Sequence, residues 1–348
     1  MKPKRQVRKS AALPFNPIRV ERELLRFPIH HLAKRGILNI DIRGKDKTGK
    51  EFRWRVSPSR NYGEPRELAY KLDTLLINRR IEEAGRSKPK VIRLGSLRAI
   101  CRELGLSEGC SSDIKEALRQ NAHTGITAKV SYQGQDGVER TIEGDFNRYS
   151  VIFTGERFSN GRKADAVYII LNDVYREVLN NAGTRPLDYD YLKVLPPTAQ
   201  RFYELVSPQV FAAIKHKLPF AKYTYSNFCI YSALTRYTIA KQVKKQMYKV
   251  MQPHKRSGYL EAVAFEETVD SDGTPDWWIH LTPGEKAHSE FRQFSQRTNH
   301  SLETHEPFLL SGSELEAGTP SADVEQFQYN LLWDIITEAI ELPSEPDP

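Results

Sequence analysis

The chain predicts an α+β fold: two units in series, each a pair of helices running into a β-hairpin with a small antiparallel sheet, and a further amphipathic helix near the C-terminal end. Two observations predict it. Between Arg236 and Arg256 stand seven Lys/Arg and no Asp or Glu, on a helical apolar period that runs straight into alternating residues and an Asp-Ser-Asp-Gly turn. The same order of signals occurs once before, over residues 91–142. At 348 residues, with 39% apolar and 10% aromatic side chains, the chain can fill two cores and carry tails.

The downstream unit is the more informative. Read as a helix over Thr238–Met251, it places Ile239, Val243, Met247 and Val250 on one side, and Lys241, Lys244, Lys245, Tyr248 and Lys249 on the other. Pro253 is expected to end this helix, leaving His254, Lys255 and Arg256 ahead of Gly258. Leu260–Glu267 then alternates, residues 270–273 turn, and Asp276–Leu281 returns as a strand. A helix with one apolar and one cationic face followed by a hairpin is the recognition helix and wing of a winged helix. A merely solvated face would mix signs to gain (i, i+4) pairs, and this one has no acidic residue. Tyr223–Leu234 reads as the preceding helix.

Charge points the same way. The net charge is +8, but the last 48 residues hold eleven Asp/Glu and no Lys or Arg. The first 300 residues are therefore +19 and the last 48 are −11, which suggests a polyanion partner for the body of the chain and an acidic appendage. Three cysteines (Cys101, Cys110, Cys229) form neither a disulfide framework nor a CxxC pair, and a reducing cytoplasm is expected. No apolar run reaches membrane-spanning length, and the basic first nine residues lack the apolar stretch of a secretory signal.

From the N-terminus, residues 1–17 read as a basic flexible arm, and residues 18–185 as the first winged-helix domain. His30-His31 invites comparison with two-histidine nucleases, but those separate the pair by one bulky residue so that both rings face one side. Adjacent histidines diverge on a strand, and a structural role is expected. Phe52–Val56 reads as a strand, and Glu64-Pro65 opens a helix with Leu68, Leu72, Leu75, Leu76 and Ile77 buried, up to about Glu83. Val91–Leu94 is a short strand. Ser96 caps a helix to Leu104, Gly105 ends it, and Asp113–Asn121 is the second helix, with Lys115 and Arg119 outward. Ile126–Tyr132 and Val138–Ile142 are expected as its wing. Asp145–Phe158 and Ala166–Leu171 read as further strands, and Asn172 caps a helix over Asp173–Asn180. Residues 186–300 form the second domain, opened by a helix Ala199–Val206 capped by Thr198. Residues 301–348 are expected to be an acidic linker and an amphipathic helix, Ala322–Leu342, suited to docking on its own domain, to a partner protein, or to covering the basic face. No GxxxxGK[ST] motif and no carboxylate or histidine cluster with metal-ligand spacing occurs, so no cofactor, metal or catalytic residue is expected.

Two such units joined by a Leu/Tyr/Pro-rich seam resemble the plasmid replication initiator family, in particular its replication initiator protein A branch. The resemblance is carried by Trp54–Pro58 with Tyr62-Gly63, by Ser96–Gly105 and Ile114–Leu118, by the seam Tyr191–Leu195 with Ala199–Leu205, and by Phe228 through Lys249. It covers roughly residues 15–285. It implies a protein that binds direct repeats of double-stranded DNA at a plasmid-type origin, helps melt it, recruits the host initiator and replicative helicase, and often represses its own gene as a homodimer. It also implies that the second winged helix makes the main groove contacts, while the first serves dimerisation and secondary DNA contact.

The expected DNA-binding residues are Arg236, Lys241, Gln242, Lys244, Lys245, Tyr248, Lys249, Lys255 and Arg256, with Lys115 and Arg119 from the first unit. Specificity is expected from Arg236, Gln242, Gln246 and the wing. Removing Lys244 and Lys245 should lower the log–log salt slope by about 2. The competing readings are a winged-helix transcription regulator and a DNA strand-transfer enzyme of the tyrosine recombinase or relaxase kind. The latter has sixteen tyrosines to draw on, but His288 and Arg292 fall in no Arg–His–Arg–Tyr order.

Overall fold

The computed structural model describes residues 16–303 apart from 34–35, 37–38, 46–48, 86 and 158–162. The basic arm before Asn16, and the linker and amphipathic helix expected beyond residue 303, lie outside the described residues. The fold is mixed α+β with small antiparallel sheets.

Strand β1 (Pro17–Glu21) leads through an irregular stretch to β2 (Ile40–Lys45) and β3 (Glu51–Ser57). A continuous helical rod follows: α1 (Glu67–Lys71), a π-helical stretch Leu72–Ile77, and α2 (Asn78–Glu83). All six residues of the π stretch are buried, including Asp73 and Thr74. The reason is position: Leu72, Leu76 and Ile77 face one apolar cluster while Leu75 belongs to the other.

Next come β4 (Val91–Gly95), α3 (Leu97–Glu103) and α4 (Ser111–Ala122). Ser96 Oγ accepts from the Ala99 N–H at 3.2 Å and Gly105 takes φ +70°, so the expected start and stop signals act as read. Two hairpins follow, β5 (Gly125–Gln133) with β6 (Glu139–Phe146), and β7 (Tyr149–Arg157) with β8 (Lys163–Leu171). The expected wing is corrected here. β5 pairs with β3 in a four-stranded sheet ordered β2-β3-β5-β6, whereas the strand before the helix pair, β4, is hydrogen-bonded to β8 in a sheet ordered β4-β8-β7. The hairpin that completes the helix pair's sheet is therefore β7–β8.

Helix α5 (Asp173–Asn181) is capped by Asn172, and β9 (Thr184–Asp188) pairs back with β1, so Pro17 is already in a strand rather than in the arm. Helix α6 (Tyr189–Val194) leads to α7 (Pro197–Lys215). This helix starts on Pro197 rather than after a Thr198 cap, and it runs nine residues beyond the expected end at Val206, through Pro208. Proline there leaves the Glu204 carbonyl without its helical donor, and the Arg185 guanidinium donates to that carbonyl instead. After β10 (Ala221–Thr224) come α8 (Tyr225–Tyr231), α9 (Ala240–Arg256), the hairpin β11 (Leu260–Val269) and β12 (Pro275–Pro283), and α10 (Glu285–Glu303). The sheet order is β10-β12-β11.

Two apolar clusters result. One spans Leu24 to Ala182. The other gathers Ile18 and Val20 from β1 with residues from Leu187 to Ala287. Between them lies a layer of buried charge. Arg201, 4% exposed, donates to the carbonyls of Leu25, Arg26 and Tyr231 at 2.7 to 2.9 Å and pairs with Glu204 at 3.1 Å. Asp73 accepts from Arg148 and from Tyr149 (2.7 Å), and lies 2.8 Å from His30 Nε2. His31 Nδ1 lies 2.8 Å from Glu64. Both histidines are thus buried structural partners, as the sequence suggested, and they point to different carboxylates.

Candidate nucleic-acid interface

Helix α9 is amphipathic on two lines. Val243, Met247, Val250 and His254 are buried against the second core, and Lys241, Lys245, Tyr248 and Gln252 follow the opposite side at the same spacing. Its bounds differ from the expected Thr238–Met251. It begins two residues later and passes through Pro253 to Arg256. Pro253 stands at the solvent-facing edge one turn from the end, where the carbonyl it frees can be hydrated. The stop comes from Gly258, at φ +73°, with the Tyr259 N–H on the His254 carbonyl at 3.0 Å.

Polar contacts fix the helix on its support. His254 is fully buried, with Nε2 3.2 Å from the Ala199 carbonyl and Nδ1 2.7 Å from the Tyr191 hydroxyl. A carbonyl can only accept, so Nε2 carries the proton and Tyr191 donates to Nδ1. Burial holds the imidazole down at about 4, so it is neutral and belongs to the core rather than to the basic cluster where its sequence neighbours place it. Gln246 is likewise taken. Its amide donates to the Thr235 carbonyl at 3.1 Å and accepts from the Tyr225 hydroxyl at 2.6 Å, so it ties α9 to α8 and is not free to read a base.

What α9 turns outward is cationic. Lys241, Lys244, Lys245, Lys249, Lys255 and Arg256 are all exposed, together with Gln242 and with Tyr248 at 61% exposure. Among the described residues none of these six cations has a carboxylate partner. Gln252, half-buried on the same side, was not singled out in the sequence. Its place seven residues after Lys245 was the available signal.

Arg236 behaves otherwise. Its guanidinium donates to Asp270 Oδ2 at 2.6 Å and to the Pro275 carbonyl at 3.0 Å, so it clamps the tip of the β11–β12 hairpin. Asp270 also accepts from the N–H groups of Asp272 and Thr274, each at 2.9 Å, and Gly273 takes φ +75° to close the turn. Asp276, 3% exposed, accepts from the backbone and hydroxyl of Ser226 and so fastens β12 to the start of α8. The hairpin differs in sign from the helix. From Ser257 to Gly284 it carries Glu261, Glu266, Glu267, Asp270, Asp272 and Asp276 and no Lys or Arg. Phosphate contact from this hairpin would therefore be repulsive, and its expected share in DNA contact is not supported by its charge.

In the first unit, Lys115 and Arg119 are half-buried rather than free. The Lys115 ammonium lies 4.9 Å from the Phe153 ring centroid, and the Arg119 guanidinium lies 5.6 Å from Phe153 and 5.8 Å from Tyr62. Tyr62 in turn stacks on the exposed His123 at 4.5 Å. The β7 strand thus covers part of the face that the sequence left open, and the cations there sit on aromatic rings.

Tyr191, Tyr203, Tyr225 and Tyr259 are buried, and burial pushes each phenol well above its ordinary value, which is the reverse of nucleophile activation. Among the described residues no group of His, Cys, Asp or Glu has metal-binding geometry, and no helix is long and apolar enough to cross a membrane. Compared with known protein families the chain matches none, and it matches no curated protein.

Proposed function

We propose that the chain is a double-stranded DNA-binding protein of two tandem winged helices, acting as a replication initiator at direct repeats. The observation that carries this reading is the outward face of α9, with six exposed cations and no acidic residue on the helix. The element order supports the winged-helix assignment. In the second half α7 precedes β10, α8, α9 and the β11–β12 hairpin. In the first, α2 precedes β4, α3 and α4, and the β5–β6 hairpin intervenes before β7–β8. In both, the strand before the helix pair bonds to the last strand of its sheet (β4-β8-β7 and β10-β12-β11). An α-helix fits the major groove of B-DNA, and lysines along its flanks reach phosphates on both sides.

Base reading in this proposal falls to Gln242, Tyr248 and Lys245, because Arg236 and Gln246 are held by protein. The initiator reading rests on the resemblance to plasmid initiators, with origin melting, recruitment of host initiator and helicase, and self-repression as a dimer as its implied duties. The chain acts by binding and not by strand transfer. A footprint of the purified protein on the DNA flanking its own gene tests it. Protection repeated in one orientation at a constant interval is expected. A lone palindrome would favour the transcription-regulator reading, and a nick or a covalent protein–DNA product would favour the enzyme.

A further inference from the structure

The exposed cations of α9 face solvent without counter-charge among the described residues, and the chain carries a polyanion of its own. We propose that, without DNA, the cationic face of α9 is covered by residues 304–348 of the same chain. That duplex DNA displaces this segment rests on the reading of α9 given above; the contact itself does not.

Three observations carry the proposal. The first is charge. Residues 304–348 hold ten Asp/Glu and no Lys or Arg, against six exposed cations on one helix face. The second is reach. Helix α10 begins beside the end of α9, where Gly284 N–H donates to the Tyr259 carbonyl at 2.9 Å and Lys286 N–H to the Gly258 carbonyl at 3.1 Å, and residues 304–348 leave from its far end, about 28 Å along the helix. It then lies along α7 through Phe291 and Phe294 on Phe211. The 45 residues that follow can reach at most about 150 Å, several times the roughly 26 Å length of α9. The third is the lack of another local occupant. The acidic β11–β12 hairpin is pinned by Arg236 and by the Asp276–Ser226 contact, and cannot fold over the helix. Tethering gives the C-terminal segment an effective concentration on the order of millimolar, which favours it over a second copy at ordinary protein concentrations.

The test uses the full chain without DNA and a zero-length carbodiimide reagent that joins carboxylates to amines, followed by peptide mapping. Links from residues 304–348 to Lys241, Lys245 or Lys249 are expected, formed within one chain when isotopically labelled and unlabelled protein are mixed, and lost when duplex DNA or 1 M salt is added. A full-length variant carrying Asp323→Asn, Glu325→Gln, Asp334→Asn, Glu338→Gln and Glu341→Gln should bind an arbitrary duplex about tenfold more tightly at low salt, with the gain vanishing where the Debye length falls to about 3 Å. Links confined to other lysines, or links between labelled and unlabelled chains, would overturn the proposal. Links without any duplex binding would uphold it and sink the DNA reading; duplex binding without links would do the reverse.

Discussion

Replacing Lys244 and Lys245 by alanine removes two charges from α9 while leaving its support alone. Both side chains point to solvent, neither has a partner among the described residues, and alanine has the higher helix propensity. The buried line of Val243, Met247, Val250 and His254 is untouched, so the fold should keep its thermal midpoint. If each lysine neutralises one phosphate, the slope of log K against log salt falls in magnitude by about 1.8. The corresponding affinity deficit is about 200-fold at 50 mM salt and about 20-fold at 200 mM, so the deficit itself shrinks roughly twelvefold over that interval. Fluorescence anisotropy on a labelled duplex across four salt concentrations measures this. A variant losing the exposed Lys193 and Lys215 instead, on α6 and α7, is the control of equal net charge. Equal slopes for the two variants, or an unchanged slope for Lys244 and Lys245, would refute the assignment of this helix to phosphate contact.

Further outcomes follow from the buried groups. His254, held at about 4 against an ordinary 6.5, binds its proton less readily folded than unfolded. Its stabilising contribution is therefore whole above pH 6.5 and lost as pH falls toward 4, about 3 kcal/mol at the limit. Urea midpoints at pH 7 and pH 5 should differ less in His254→Leu than in the wild type. Glu21 is shifted the other way, to about 7, because burial outweighs the backbone N–H groups of Leu24, Glu23 and Leu25 that bond its carboxylate. Its contribution is whole below pH 4.5 and lost as pH rises through 7, so Glu21→Gln should raise the urea midpoint at pH 8 and leave it unchanged at pH 4. Asp73 would be raised by burial alone, but Arg148 and His30 hold it at about 2. Asp73→Asn strands the Arg148 charge and should cost about 3–5 kcal/mol in chemical denaturation. Arg236→Ala should speed amide exchange at residues 270–275 while leaving the salt slope of DNA binding unchanged, which separates a clamp from a phosphate contact.

Most of the elements are legible in the sequence because their causes are local. Ser96, Asn172, Gly105 and Gly273 each act within a few residues of where they stand. What the sequence hides is what distant residues decide. Pro208 stands inside a long helix because Arg185, from another element, satisfies the carbonyl that proline leaves open. The β5–β6 hairpin has the alternation of a wing, but alternation does not name a partner, and β3 claims it from 70 residues upstream. On the candidate site, the sequence placed the lysines correctly on the outer face of α9. It misplaced Arg236 and Gln246, since both are polar residues in a cationic stretch and only tertiary contacts show that they face protein. Lys115 and Arg119, read as outward, are half-buried for the same reason, because Phe153 reaches them across the chain.

The opposite signs of helix and hairpin bear on how the second unit would meet a duplex. A uniformly basic surface binds DNA in many poses, and phosphate contacts alone do not choose among them. Here six exposed cations stand on α9, which carries no acidic residue, while Glu266, Glu267 and Asp272 are exposed on the adjoining hairpin. A pose that laid the hairpin against the backbone would set these carboxylates against phosphates, and a pose seating α9 in the groove would not. On the proposed DNA-binding reading the carboxylates would act by exclusion, adding no affinity and narrowing the set of orientations. The variant Glu266→Gln with Glu267→Gln should accordingly bind arbitrary duplexes more tightly while gaining less on the native site. A competition titration of the flanking DNA against bulk duplex would show this as a fall in the ratio of specific to non-specific affinity, and an unchanged ratio would remove the hairpin from the account of orientation.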